Sequence, residues 1–484
     1  MAKIIIIGGG VAGLSAGIYA RLSGHKAIVC ERQKSAGGNL TGWQREGYHI
    51  DNCIHWLTGT NPNTDTYKIW TDLGALGQVD VYQPDSLYTC EYKGERLSLY
   101  KDLSRVKEEM FRISPQDKKE ISNLIKAVEQ LQKTSGIAGD THNEKGGLLT
   151  KILGLPLLYK YHKMSTKELS ERFAHPLLQK FLTAILGEVF SALALLLVFA
   201  TFCGENGGIP CGSSRAMAKR ITERFLALGG ELRLKKEAVK INCSNGKANS
   251  VTFADGTRLR GDYVVLTGDP AVAFGKLLSC EMPRELKKQY ESPKMIRFSG
   301  YHCAFACDCP ILPFEGDFVF ELPKQDQKAL LTENLIVREF SHERKFAPKG
   351  KNVIQTLTFC DEETAKYFIE LRQDKAAYEA KKKELAERIE ACLIHKFPQL
   401  QGKLRCLDVW TPATYQRYTD TEMGSFMSFV LPPKILPRPI DNRVERYKNV
   451  ILATQWLQAP GGLPIAAKVG KRAIERINKQ ENKV

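Results

Sequence analysis

The stretch that most constrains this chain is its beginning, MAKIIIIGGGVAG. Ile4 to Ile7 read as a buried parallel strand: β-branched residues suit a pleated surface, and a strand covered on both faces shows no polar alternation. Gly8, Gly10 and Gly13 follow in GxGxxG spacing. The first permits a tight turn, the second lets backbone approach a pyrophosphate, and the third lets the next helix pack closely on its strand. Val11 and Ala12 open that helix, whose free N–H groups and dipole face the phosphates.

A glycine motif alone is weak evidence. Here a second strand, KAIVCER, ends at Glu31, 23 residues past Gly8, where a carboxylate accepts hydrogen bonds from both hydroxyls of an adenosine ribose. Arg32 comes next. Strand, loop, helix, strand and acid together specify the AMP half of a dinucleotide without separating NAD from FAD. The following segment separates them: KSAGGNLTGWQREGYHIDNC places Gly37, Gly38 and Asn39 shortly after Glu31 and runs into a strand, where a nicotinamide domain continues to another crossover helix. Such an insert points to FAD, whose longer ligand meets a second backbone turn. The tail, NVILATQWLQAPGGLPIAAKVGKRAIERI, reads as strand, glycine turn and helix. It is expected to bring Gly461, Gly462 and Leu463 against the far end of the cofactor, where a helix N-terminus stabilises negative charge on a reduced flavin.

Seven segments in order, namely the N-terminal loop, the Glu31 to Gly38 stretch, GYHIDNCIHWL, GGIPCGSSRAMAKRITERFLALGGELRL, FAPKGKNVI, TPATYQRYTDTEMGSF and the tail, resemble the flavoprotein family of bacterial phytoene desaturases and retinol saturases. That family lies within the amine-oxidase-like superfamily. The least family-like region runs from about Leu103 to Phe202. The resemblance implies FAD, hydride transfer at its N5, and desaturation, isomerisation or saturation of carbon–carbon bonds in an apolar isoprenoid or polyene-like substrate. Two departures stand out. Asn39 occupies the place where the family usually has arginine, leaving Arg32 or Arg45 to substitute, and ATQW lacks an acidic residue that many superfamily members carry near the ribityl chain. With no second GxGxxG, NAD(P)H would dock only transiently as electron donor, or electrons would pass to or from quinone or oxygen.

Saturating a double bond requires a proton opposite the hydride, and His55, Tyr415 and Tyr418 are the catalytic candidates. His55 also stands among the cofactor-binding candidates. Each has a plainer reading: His55 orients the turn beside the flavin, and the tyrosines cap a cavity with their hydroxyls. Glu205 and Asn206 are expected to bridge loops near the cofactor, and Asp51 to fix a turn.

The fold class is therefore α/β: a Rossmann-like FAD-binding domain with a mixed α+β substrate or cap domain. The former is assigned to 1–100, 204–292 and 441–484, the latter to 101–203 and 293–440. A helix from Ser214 to Leu228, a hairpin turned at Asp255 and Gly256 and the buried strand YVVLTG are expected to complete the nucleotide-binding sheet. The cap contributes the alternating segment NVIQTLTFC and the amphipathic helix DKAAYEAKKKELAERIEACLIHKF, and the proline-rich LPPKILPRPI closes it. The apolar stretch FLTAILGEVFSALALLLVFATFC, 181–203, is expected to be helical. Gly187 and Glu188 argue against a membrane span, leaving a buried core helix, the wall of a lipophilic pocket, or a membrane-surface patch.

Length and composition, 484 residues with 43% hydrophobic, fit a chain with one large core or two interleaved ones. The only cysteine cluster among thirteen is Cys303, Cys307 and Cys309, lacking paired CxxC spacing, so the thiols read as reduced and no metal site is expected. A net charge of +16 is carried by dispersed lysines, which speaks against nucleic acid and leaves a membrane surface open as a partner. The first strand begins at Lys3 with no leader before it, so a cytoplasmic protein is expected, with peripheral membrane association as its variant. Oligomeric state is not legible. Two other classes compete: an amine-oxidase-like oxidase, and a non-enzymatic prenyl or lipid binder on the same fold, as in the Rab GDP-dissociation inhibitors. Intact Gly8, Gly10, Gly13 and Glu31 argue against the binder.

Overall fold

A computed structural model describes residues 1–133, 156, 159–435 and 438–482. Parts of three sequence assignments, 134–155 and 157–158 in the cap, 436–437 in the proline-rich segment and 483–484 in the FAD-binding domain, lie outside the described residues.

Strand β1 (Lys3–Ile7) sits inside a six-stranded sheet in the order Arg443–Val444, Tyr447–Leu452, Tyr263–Leu266, β1, β2 (Lys26–Cys30), Glu231–Arg233. All neighbours are parallel except the Arg443–Val444 edge. Side-chain alternation explains why an unbroken isoleucine run works. Ile4 and Ile6 pack with Leu14 and Ile18 of helix α1 (Val11–Leu22) and with Ile474 and Ile477 of the terminal helix Leu463–Glu481. Ile5 faces the other way, onto Ile241, Val251 and Phe253. Each such side chain contributes about 1.5–3 kcal/mol of burial.

Those last three residues belong to a correction. The hairpin turned at Asp255 and Gly256 exists, but its strands do not complete the nucleotide-binding sheet. Ala238–Ser244, Lys247–Phe253 and Arg258–Arg260 form a separate antiparallel sheet stacked on its face. Only the flanking Glu231–Arg233 and Tyr263–Leu266 join the parallel layer.

The two chain ends meet. Ser15 Oγ of α1 donates to Ala467 O at 2.7 Å, and a Cβ on Gly470 of the terminal helix would lie 2.5 Å from Ala12 O. Only glycine allows that approach.

A second layer is a seven-stranded sheet in the order Leu404–Trp410, Ser299–Cys307, Asn352–Cys360, Asn334–Glu339, Asp317–Glu321, Ser86–Tyr92, Glu95–Tyr100. It is antiparallel except where Asp317–Glu321 runs beside Ser86–Tyr92. Residues 86–100, assigned from sequence to the FAD-binding domain, supply the last two strands of this sheet rather than of the parallel one. Tyr301, Cys303 and Phe305 point to the helix Lys375–Lys396, packing on Leu385, Ile389 and Leu393. The opposite face carries His302 and turns toward the cofactor layer. Cys303 and Cys307 are thus core residues, and among the described residues no group of three or more His, Cys, Asp or Glu could hold a metal ion.

The apolar segment 181–203 is not one helix. It divides into the end of Pro176–Thr183 and a separate helix, Ala192–Cys203. Gly187 takes a left-handed φ of +76°, and Ser191 caps the second helix by accepting from Leu193 N at 3.3 Å. Among the described residues no helix is long and apolar enough to cross a membrane.

Candidate functional site

One continuous cavity of about 1500 Å³ runs from the ends of β1 and β2 to the apolar helix. A single ligand typically takes a pocket of about 300–1000 Å³, so this one has room for a cofactor and a substrate together.

Its first end is built from backbone. Gly8 turns with φ +105°, and a Cβ on Gly13 would collide with Gly8 O at 1.9 Å. The second glycine pair stacks directly on this loop: Gly37 N donates to Gly9 O at 2.8 Å, and a Cβ on Gly38, at φ +61°, would meet Gly10 Cα at 3.2 Å. A Cβ on Gly10 would meet nothing nearer than Gly38 Cα at 3.9 Å, so this cradle has space that only a side chain at Gly10 would fill. Helix α1 starts there with no side-chain cap and no acid in its first turn, leaving its N–H groups for a pyrophosphate. Val11 and Ala12 line the same wall. Glu31 is buried and already aimed, with Oε2 accepting from Gly9 N at 2.7 Å and Oε1 from Gln33 N at 2.8 Å. Each oxygen keeps a lone pair for a ribose hydroxyl. From the other chain end, Gly461 and Gly462 (φ +80° and +87°) lead into Leu463, where the terminal helix also begins without a side-chain cap. Gln455 Oε1 accepts from Gly462 N at 2.8 Å and holds this turn. These residues fit FAD.

Over the adenosine end lies a strap, Arg417 to Asp420. Arg32 lies 3.4 Å from Asp420 and also donates to Arg417 O. Gln33 Nε2 donates to Tyr418 O at 2.9 Å, and Lys276 reaches Asp420 at 3.2 Å from another segment. Arg32 thus holds protein as well as lining the cavity. Arg45, the other candidate to replace a missing arginine, pairs with Asp408 at 3.0 Å. Asn39 is held by its backbone, its carbonyl accepting from Asn52 Nδ2 at 3.1 Å.

The two candidate tyrosines occupy different places although both lie on the helix Pro412–Thr419. Tyr418 is 52% exposed and sits by Gln33 at the adenosine end. Tyr415, one turn earlier on the same side of that helix, is buried. Its hydroxyl accepts from Trp410 Nε1 at 3.1 Å and has Asn52 Oδ1 and His302 Nε2 each at 3.0 Å to receive its single proton. His302 lies flat on Trp410, ring centres 4.7 Å apart. Burial pushes His302 down to about 3, so it is a neutral acceptor, and burial raises the Tyr415 phenol above its ordinary value. Tyr415 therefore ties its helix to Asn52 of the N-terminal segment and to His302 and Trp410 of the seven-stranded sheet.

His55 faces the cavity beside a buried ion pair. Its Nδ1 lies 3.2 Å from Asp317 Oδ2, the same oxygen to which Arg338 Nη2 donates at 2.7 Å, while Arg338 Nε donates to Oδ1. Arg338 also donates to the carbonyls of Ile54 (2.8 Å) and His55 (3.1 Å), clamping the turn. Burial opposes ionisation of Asp317, but the charge of Arg338 and hydrogen bonds outweigh it and lower Asp317 to about 2. Burial, then the charge of Arg338, push His55 below its ordinary value. Asp51 secures the approach to this turn by accepting from Ser214 N at 2.7 Å and Cys53 N at 3.2 Å. Asn206 Oδ1 accepts from Gly59 N and Asn61 N at 3.1 and 3.0 Å, a loop bridge, and Glu205 pairs with Lys101 at 3.5 Å. Sequence reasoning missed Asp317, Arg338, His302 and Trp410. A usable signal existed: Asp317 and Arg338 directly adjoin the apolar runs Phe318–Phe320 and Leu335–Val337, and a charge carried into a buried strand is tolerated only when paired.

The far end is an apolar chamber. Ala194, Leu197, Val198 and Thr201, one stripe at helical spacing, face it from the apolar helix, while Leu195, Leu196 and Phe199 point into the core behind. Opposite stand Val319, Ile336, Leu357 and Phe359 of the seven-stranded sheet. The helix is both core and pocket wall.

Residues 11–366 match the family model described as flavin containing amine oxidoreductase. Prolycopene isomerase of Daucus carota is 24% identical over 87% of this chain and 71% of its own. Phytoene desaturase (neurosporene-forming) of Rhodobacter capsulatus is 27% identical over 57% of this chain and 54% of its own. An oxidoreductase from Methanosarcina mazei has a solved structure with the same fold: TM-score 0.63 at 16% identity, across 98% of this chain and 100% of that one.

Proposed function

This chain belongs to the flavin containing amine oxidoreductase family, and from that premise we propose that its substrate is an apolar polyene of the isoprenoid class, desaturated, isomerised or saturated at carbon–carbon bonds. It is an FAD-dependent oxidoreductase. Bound FAD supplies hydride acceptance and donation at N5. Gly8, Gly10, Gly13, Gly37, Gly38 and Glu31 would hold its AMP and phosphates, and the helix starting at Leu463 would offer free N–H groups to charge on the reduced ring.

The observation that carries the substrate reading is the stripe Ala194, Leu197, Val198 and Thr201 facing Val319, Ile336, Leu357 and Phe359, in one cavity with the glycine cradle. Aliphatic walls bind by area removed from water and keep water from the reacting carbons. An amine fits less well, because the carboxylate beside the chamber, Asp317, is already neutralised by Arg338. Uptake from a lipid surface belongs to the same reading: Val189, 47% exposed, adjoins Phe190 and Leu186 of the cavity wall.

Anaerobic spectrophotometry of the yellow holoprotein with phytoene, prolycopene or retinol in phosphatidylcholine vesicles tests this. Flavin bleaching by a polyene indicates desaturation, reoxidation of the reduced enzyme indicates saturation, and cis–trans conversion with no net bleaching indicates isomerisation. Bleaching by primary amines but by no polyene would overturn the reading. NADH and NADPH in the same cuvette identify the donor.

A further inference from the structure

We propose that His55 exchanges the proton that accompanies hydride transfer at the chamber, and that Asp317, anchored by Arg338, is the positioning residue that sets the imidazole for this. The inference rests on the carbon–carbon chemistry proposed above and adds its acid–base partner.

The geometry is that of a base held by an orienting carboxylate. Asp317 lies 3.2 Å from Nδ1, so that nitrogen carries the hydrogen and Nε2 is left as the acceptor. The ring lines the cavity and its side chain is 28% exposed, whereas Asp317 is 9% and Arg338 10% exposed. Arg338 fixes three things at once: the carboxylate and the carbonyls of Ile54 and His55. Neither ring position nor tautomer is then free. A buried ion pair is a poor stabilising device, since desolvating two charges offsets their attraction, so its position behind the one cavity-facing imidazole of the 54–55 turn needs a functional reason. His302, the other imidazole on the wall, has its Nε2 at the Tyr415 hydroxyl.

Four charged or titratable groups face His55: Asp317 and Asp51 favour its cation, while Arg338 and burial disfavour it, and His302 senses it across the cavity. The neutral form prevails, and Asp317 is placed to stabilise the imidazolium formed when a proton arrives. The balance of the step is simple. When CH–CH becomes CH=CH, one C–H bond would break with its electron pair leaving on hydrogen, as the hydride that bound FAD would accept. The other breaks heterolytically, its electron pair becomes the π bond, and its proton goes to Nε2. Saturation runs the same transfers backward.

Two arms test this on the FAD-loaded full-length protein. In the first, histidine-selective 15N labelling reads the tautomer, with His55→Gln assigning the signal. A protonated Nδ1 and bare Nε2 in the wild type, lost in Asp317→Asn, is expected. A protonated Nε2 in the wild type, or an unchanged signal in Asp317→Asn, overturns the positioning claim. In the second, phytoene turnover in vesicles is compared. His55→Ala is expected to keep FAD and KM but lose about 10²–10⁴-fold in kcat, with part restored by added imidazole; His55→Gln loses as much without rescue. A kcat within about threefold of wild type in either variant overturns the proton role. So does a loss in His55→Ala that imidazole does not restore. A wild type that responds to no polyene removes the substrate reading instead, and the tautomer arm then still decides whether Asp317 sets the imidazole.

Discussion

The two ends of the cavity are made of different material. At the nucleotide end the walls are backbone: Gly8, Gly37 and Gly38 make contacts that a Cβ would break, Gly10 leaves open the space facing them, and Glu31 is held by two N–H donors. At the substrate end the walls are side chains, drawn from the helix Ala192–Cys203 and from strands more than a hundred residues later. A backbone cradle tolerates no substitution and recognises one molecule. A chamber of aliphatic side chains tolerates many and sets only size and polarity.

That contrast is sharpest at the glycines. Gly13→Ala would place a methyl 1.9 Å from Gly8 O, in backbone that cannot retreat, so the holoprotein should not form: no flavin absorbance on purification and a cooperative melt lowered or lost. Gly10→Ala separates fold from cofactor. Its methyl meets no protein atom closer than 3.9 Å, so the melt should stay near wild type while FAD binding fails. Retained FAD in Gly10→Ala would show that the pyrophosphate does not cross this loop.

The chamber should answer differently. Leu197→Trp enlarges one member of the cavity stripe without touching the cradle. FAD content should be unchanged while KM for a long polyene rises roughly tenfold or more, the scale set by one misfit in an apolar pocket. Equal loss of FAD and turnover would mean the two ends are not separable.

Legibility followed the same divide. The isoleucine strand, the glycine spacings and Glu31 are local signals, each contained within a few residues, and the terminal glycine turn is local too. What the sequence did not show was pairing over distance. The 86–100 hairpin reads the same whichever sheet it joins, and only its parallel contact with Asp317–Glu321 places it in the seven-stranded one. Tyr415 and Tyr418 stand three residues apart, on one side of their helix, so periodicity does not separate them; Tyr415 is buried because Asn52, His302 and Trp410 meet its hydroxyl from other segments, and Tyr418, near the helix end, has no such cover. Asp317 and Arg338 meet across neighbouring strands, and neither has a motif.

The ion pair gives the cavity's middle a pH signature. Asp317 is lowered to about 2 from the ordinary carboxylate value near 3.8. A depressed pKa contributes stability that is fully present above the unfolded value and lost as pH falls through the folded one, so the window lies between about pH 4 and 2. The shift corresponds to on the order of 2 kcal/mol. Wild type should therefore lose more stability across that window than Asp317→Asn, although the variant starts lower because Arg338 is left unpaired. Parallel curves from calorimetry at stepped pH would contradict it.

The smallest effect belongs to the strap, where side chains close over the backbone cradle. Arg32 and Lys276 reach Asp420 from two banks of the nucleotide cleft, and Gln33 binds the backbone of Tyr418 between them. With all three contacts in place, this edge would hinder departure of bound FAD. Exposed pairs are worth about 0–1 kcal/mol each and are screened by salt. Asp420→Ala should thus speed FAD release by no more than about fivefold, and the acceleration that salt produces in wild type should shrink in the variant. Stopped-flow flavin fluorescence at two ionic strengths measures both. If release is as slow in Asp420→Ala as in wild type, the cofactor is retained by the cradle alone, and the division between a backbone end and a side-chain end becomes stricter than the structure by itself requires.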